Sequence, residues 1–128
     1  MSDQKPRVLC VDDESNILDG LRRHLRRHFE IHTAPGSREG LGLMEAEEEP
    51  FVVVVSDLQM PEMNGIDFLK EVRERSPDTT RILLTGNADL SSAVSAVNEG
   101  NIFRFLTKPC PNEVLIQAVS AGVEQHRL

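Results

Sequence analysis

The 128-residue chain predicts an α/β domain, a doubly wound parallel sheet of five strands in (βα)5 order. Five short apolar runs alternate with stretches of helical period. The runs are continuous, as in FVVVV at 51–55, whereas a strand with one wet face would alternate apolar and polar residues. The connections hold one helix each and no inserted domain. Strand–helix–strand units of this length make right-handed crossovers, which give a parallel sheet with helices on both faces.

Each element has its own signal. The first strand is expected at 8–11, followed by a helical stripe of Ile17, Leu18, Leu21, Leu25 and Phe29. The second strand is expected at 31–34, then a weaker helix across 37–47, because Gly40 and Gly42 lower its propensity. A third strand at 51–56 leads to Asn64, a candidate N-cap for a helix carrying Phe68, Leu69 and Val72, which Pro77 stops. The fourth strand is expected at 81–85. Leu90, Ala93, Val94 and Val97 then mark a helix over 89–101, with Gly100 as its C′ residue. The fifth strand is expected at 102–107, and Leu115, Ala118 and Val119 mark the last helix. Pro111 and Asn112 stand where an acidic cap is more usual, so the first turn of that helix is its least specified part.

Composition bounds the function. Apolar residues make up 39% and charged residues 27%, as in a globular domain, and a single domain over 1–128 is expected. No apolar run approaches the roughly 18 residues of a membrane span, and MSDQKPR lacks the apolar centre of a signal peptide; a cytoplasmic protein is expected. The net charge of −7 disfavours nucleic acid and anionic membrane as direct partners, and with no Trp, no Tyr and five Phe there is no platform for stacking bases. Cys10 and Cys110 fit neither a disulfide framework nor a zinc site. His24 and His28 share an i, i+4 spacing without a third ligand, and the acidic run at 45–49 reads as a solvated helix end.

The chemistry gathers where strands end. In a doubly wound sheet, ligands bind outside the carboxyl ends of the strands. Asp12, Asp13 and Glu14 follow the first strand, Asp57 the third, Thr85 closes the fourth, and Lys108 and Pro109 follow the fifth. Any one of these has an ordinary reading: Asp12, Asp13 or Ser15 as a helix cap, Asp57 as an Asx-turn, Thr85 as a strand end, Phe105 as core. Together they imply a charge problem. Carboxylates about 4 Å apart repel by roughly 4 kcal/mol at an effective dielectric constant of about 20. Lys108 neutralises one charge. A hard divalent ion with oxygen ligands, Mg²⁺ above all, answers the rest and commonly joins a phosphate. The turn VDDES has no glycine-rich phosphate cradle, and neither GxGxxG nor GxxxxGK[ST] occurs.

Asp12-Asp13, Asp57 in DLQMPEMNG, Thr85 in LLTG and Lys108 in FLTKP together resemble a two-component response-regulator receiver domain, over about residues 7–125. The stretch LLTGNADLSSAVSAVNEGNIFRFLTKP further resembles receivers that precede output domains, including those of the HD-GYP type. The resemblance implies a flavodoxin-like sheet of strand order 2-1-3-4-5. It implies Asp57 as the phosphoacceptor, served by a sensor histidine kinase. Asp13, Asp57 and the backbone carbonyl of Gln59 would ligate Mg²⁺, with Asp12 acting through water. Thr85 and Lys108 would hold phosphoryl oxygens, Thr85 and Phe105 would form the switch, and the Lys108–Pro109 bond would be cis. Gly86 would keep the phosphoryl pocket open. The state would pass through the last two helices and strand 5, to a homodimer partner or a fused output domain.

Two other functions use similar residues. A pseudo-receiver binds a partner without phosphorylation, but commonly lacks the nucleophile, the lysine or the acidic pair, all present here. An aspartyl phosphohydrolase needs an acid two residues after its nucleophile, where this chain has Gln59. Gln59 and Asn87 occupy positions that tune phosphoryl lifetime in the family.

Overall fold

Aliphatic and β-branched runs form the strands, and amphipathic segments form the helices. The computed structural model describes residues 4–86 and 102–127. In it, β1 (Arg7–Val11), α1 (Ser15–Leu25), β2 (Glu30–Ala34), α2 (Ser37–Ala46), β3 (Val53–Asp57), α3 (Gly65–Arg75), β4 (Thr80–Thr85), β5 (Arg104–Thr107) and α4 (Asn112–Arg127) follow one another. All pairings are parallel, and the strand order is β2-β1-β3-β4-β5, the order expected. The helix expected over 89–101 lies outside the described residues.

The continuous apolar runs are explained by two cores. Val8, Cys10, Val53, Val55, Ile82 and Leu84 face one way, against α1 and α4. Leu9, Val11, Val54 and Leu83 face the other, against α2 and α3. Successive strand residues point to opposite faces, and both faces are covered, so the runs are apolar without alternation. Cys10 lies in the first core with its thiol pushed up to about 12, chiefly by burial. Among the described residues, no helix is long and apolar enough to cross a membrane.

Several boundaries differ from the sequence reading. β3 begins at Val53 rather than at 51: the Phe51 side chain is buried, but its carbonyl accepts the Thr79 hydroxyl at 2.7 Å instead of a ladder bond. At its other end β3 includes Asp57, paired with Leu84 of β4. β5 begins at Arg104, and Phe103 makes a single bridging bond to the Arg81 carbonyl (2.8 Å). α1 stops at Leu25, and Phe29 reaches the same core from the following turn. The first turn of α4 is formed, with Leu115 N–H donating to the Pro111 carbonyl at 3.0 Å. Asn64 caps α3 as expected, accepting from Asp67 N–H at 2.9 Å. Within the acidic run, Glu45 pairs with Arg75 and Glu47 with Arg7, so two of its carboxylates are fixed rather than only solvated.

Two glycines make opposite demands. A Cβ on Gly20, inside α1, meets nothing within 4 Å, whereas one on Gly65 falls 2.0 Å from the Asp57 carbonyl oxygen. Backbone cannot yield as a side chain can. Gly20→Ala is therefore expected to stabilise the fold by about 0.5–1 kcal/mol, and Gly65→Ala to destabilise it by about 2–3 kcal/mol. Urea denaturation of both variants checks this, and equal effects would refute it.

Candidate functional site

Three strand ends converge. Asp12 follows β1, its N–H donates to the Ala34 carbonyl (3.2 Å), and its Oδ1 accepts from Glu14 N–H (2.9 Å). That local bond holds the carboxylate inward, where Asp12 is fully buried while neighbouring Asp13 is exposed. Asp57, the last residue of β3, is 6% exposed. Lys108 follows β5; its N–H donates to the Thr85 carbonyl (2.8 Å), and its bond to Pro109 is cis, as the resemblance implied. Its Nζ lies 3.0 Å from Asp12 Oδ2, 3.0 Å from Asp57 Oδ1 and 3.5 Å from Glu14 Oε2.

One ammonium thus meets three carboxylates, and Asp13 adds a fourth. Burial pushes the Asp57 carboxyl above the usual carboxylate range; Lys108 pulls it back, and the charge on Asp12 adds to the rise. Asp12 is raised for the same first reason, only partly offset by Glu14 N–H and Lys108. Burial draws Lys108 down, but the two aspartates outweigh it, and the ammonium is held above the usual lysine range.

Oxygen atoms of Asp12, Asp13 and Asp57 all lie within 4.8 Å of one another. Among the described residues no histidine joins such a cluster; His24 lies in the last turn of α1 and His28 in the turn that follows it. Asp12 Oδ2 is buried and accepts no aligned hydrogen bond, its 3.0 Å contact with Lys108 being one of charge. An all-oxygen donor set with more carboxylates than its one ammonium can neutralise suits a hard cation such as Mg²⁺.

The other expected residues stand close by in the fold. Thr85 ends β4, buried, with its hydroxyl donating to the Gly86 carbonyl at 3.2 Å. A Cβ on Gly86 would meet nothing within 4 Å, so protein packing places no demand for glycine there. Gln59 is exposed in the loop that follows β3. Phe105 sits in β5 opposite Leu83, half-buried against the core of α2 and α3. Asn87 lies outside the described residues. The sequence signals of a cap at Asn64 and a weak helix across 37–47 assign no role to Gly65 or to the Ser37 hydroxyl. Gly65 touches the backbone of Asp57, and the buried Ser37 hydroxyl donates to the Met63 carbonyl (2.7 Å). The glycine in MNG was the only available signal for the first, and nothing in the sequence signals the second.

The model of the response regulator receiver domain matches residues 8–120. The chain belongs to that family. The receiver domain is 38% identical over 128 residues to the hydrogenase transcriptional regulatory protein HoxA of Cupriavidus necator, covering 100% of this chain and 26% of the relative. A solved signal receiver domain of an HD domain-containing protein from Pseudomonas fluorescens has a TM-score of 0.91 at 33% identity, covering 99% of this chain and 93% of that one. An adenylate cyclase structure from Rhodopirellula baltica has a TM-score of 0.90 at 39% identity, covering 95% and 90%. The chain spans about a quarter of the length of curated relatives such as HoxA and GlrR of Escherichia coli. It is a receiver domain of the two-component response-regulator type, a signalling domain rather than a classical enzyme, and its form fits a phosphoacceptor switch.

The crowded carboxylates give the metal-free domain a pH signature. Folded Asp12 and Asp57 keep their protons to higher pH than in the unfolded chain, so the native state binds more protons between the ordinary carboxylate range and their raised values. Stability falls as pH rises through that interval, and the loss persists at neutral pH. Asp57→Asn is expected to raise stability at pH 7 in EDTA by about 1 kcal/mol, roughly 4 °C in Tm. The gain should shrink as pH falls toward 4. Thermal melts from pH 4 to 8 read it directly, and a lower Tm for the variant at pH 7 would contradict it.

Proposed function

We propose that this domain accepts a phosphoryl group on Asp57 from the phosphohistidine of a sensor histidine kinase, acts in the cytoplasm, and passes its state to a regulatory output. The observation that carries this reading is Lys108 Nζ held 3.0 Å from both Asp12 and Asp57 beside Asp13. An ion pair needed for folding alone would use one carboxylate. Three around one ammonium, with Asp13 beside two of them, leave negative charge that a cation and a transferred group can organise.

In the proposed reaction an Asp57 carboxylate oxygen attacks phosphorus. A P–O bond forms, the P–N bond of the kinase phosphohistidine breaks, and the imidazole leaves with the electron pair. The transition state is loose and in line, so positioning and charge stabilisation dominate. Asp13, Asp57 and the Gln59 backbone carbonyl would hold Mg²⁺, with Asp12 acting through water; the ion supplies charge neutralisation for the phosphoryl oxygens. Lys108 would hold one phosphoryl oxygen and keep Asp57 ionised against its burial. Thr85, bonded to the Lys108 backbone through its own carbonyl, would donate its hydroxyl to another. That turn of Thr85 would free space for Phe105, giving a two-state switch.

The relatives named as transcriptional regulatory proteins, and the solved receiver from an HD domain-containing protein, support an output read by a fused domain or a partner. For such contacts we propose the surface of β5 and α4, together with the helix expected over 89–101, which lies outside the described residues. Gln59 in place of a second acid, two residues after Asp57, supports the switch over phosphohydrolase chemistry.

Incubation with acetyl phosphate and Mg²⁺ is expected to give one phosphoryl adduct by intact mass, absent in Asp57→Asn and in EDTA, and formed at least tenfold more slowly in Lys108→Ala. Steady release of phosphate from esters, or no adduct on the native chain, would overturn the reading. Beryllofluoride, a phosphoryl mimic, is expected to shift NMR signals of Phe105 and of residues 89–101; unchanged spectra at saturation would refute the switch.

A further inference from the structure

The N-cap residue of α2 is Gly36, which has no side chain to cap with, and Ser37 follows as the first helical residue. Its hydroxyl reaches 26 residues along the chain and donates to the Met63 carbonyl at 2.7 Å. Ser37 is 3% exposed, and its Oγ also lies 4.0 Å from Met60 Sδ. The contact is therefore interior, unlike the exposed Arg38–Glu62 ion pair (3.0 Å) that spans the same two segments.

The loop it grips, residues 58–64, connects Asp57 to α3. At its base, Gly65 N–H donates to the Leu58 carbonyl at 2.7 Å, and Leu58 N–H donates to the Leu84 carbonyl at 3.2 Å. Near its crown stands Glu62 with φ 72°, a left-handed conformation that a residue with a side chain adopts only at some cost. Met63 follows directly, with its N–H on the Pro61 carbonyl (2.8 Å) and its carbonyl held by Ser37. Both sides of the residue after the left-handed turn are thereby fixed. Gln59 lies in the same seven-residue loop.

We propose that Ser37 is a positioning residue for metal binding: from α2, its buried hydroxyl holds the 58–64 loop in the shape that presents the Gln59 backbone carbonyl to the cation. This rests on the metal reading given under the proposed function. Ser37 itself touches neither ion nor phosphoryl group.

The test uses the whole chain and Mg²⁺ alone. Calorimetric titration, far below the melting temperature, is expected to give a Kd about fivefold weaker for Ser37→Ala than for the native chain, the worth of one lost hydrogen bond. With acetyl phosphate, Ser37→Ala should label slowly at low Mg²⁺ and at the native rate once Mg²⁺ saturates. Arg38→Ala, which removes only the exposed pair, should leave Kd unchanged. A lower Tm with an unchanged Kd would make Ser37 merely structural and overturn the proposal, as would an equal loss in Arg38→Ala. If the native chain binds Mg²⁺ and is labelled while Ser37→Ala matches it, this inference alone fails. If the native chain does neither, the functional reading fails with it.

Discussion

An imbalance of charge at the carboxyl ends of β1, β3 and β5 governs this domain. Asp12, Glu14 and Asp57 gather about a single ammonium with Asp13 beside them, and Asp12 and Asp57 are largely withdrawn from water. Burial strengthens every interaction there and makes each uncompensated charge costly. The fold supports the arrangement from beneath: two apolar cores clamp the sheet from both sides, so the strand termini cannot move apart to relieve the repulsion. A rigid base under a strained electrostatic top makes the site respond to any species that brings positive charge or rearranges negative charge.

The backbone around Asp57 serves the same end. Gly65 lets the start of α3 close on the Asp57 carbonyl, and Asn64 caps that helix one residue earlier. The loop after the aspartate is thus confined at both ends within a few residues. Ser37 adds a hold from another element, on Met63 just before the cap. Precision at the carboxylate comes from backbone contacts as much as from the charged side chains.

Much of this was legible in the sequence. Apolar runs without alternation announced a sheet covered on both faces, and strand order followed from the resemblance carried by Asp12, Asp13, Asp57, Thr85 and Lys108. The Lys108 contacts with Asp12 and Asp57 join positions far apart in the chain, and charge arithmetic at strand ends together with the resemblance foretold them. Boundaries were less legible. Phe51 looks like a strand residue because burial selects the same side chains, but its carbonyl is diverted to Thr79. Phe29 continues a helical stripe from outside the helix for the same reason. Ser37 was illegible because a hydroxyl carries no periodicity, and its partner is a backbone carbonyl, which every residue has.

The position of Asp57 within the ladder has one more consequence. Its strand lies at the middle of the sheet, hydrogen-bonded on both flanks, whereas β5 forms a rim with side chains that still reach solvent. A perturbation that starts at the central carboxylate meets stiff neighbours on either side. Under the proposed switch, displacement would run laterally, through the Thr85 carbonyl and Lys108 amide, toward that rim.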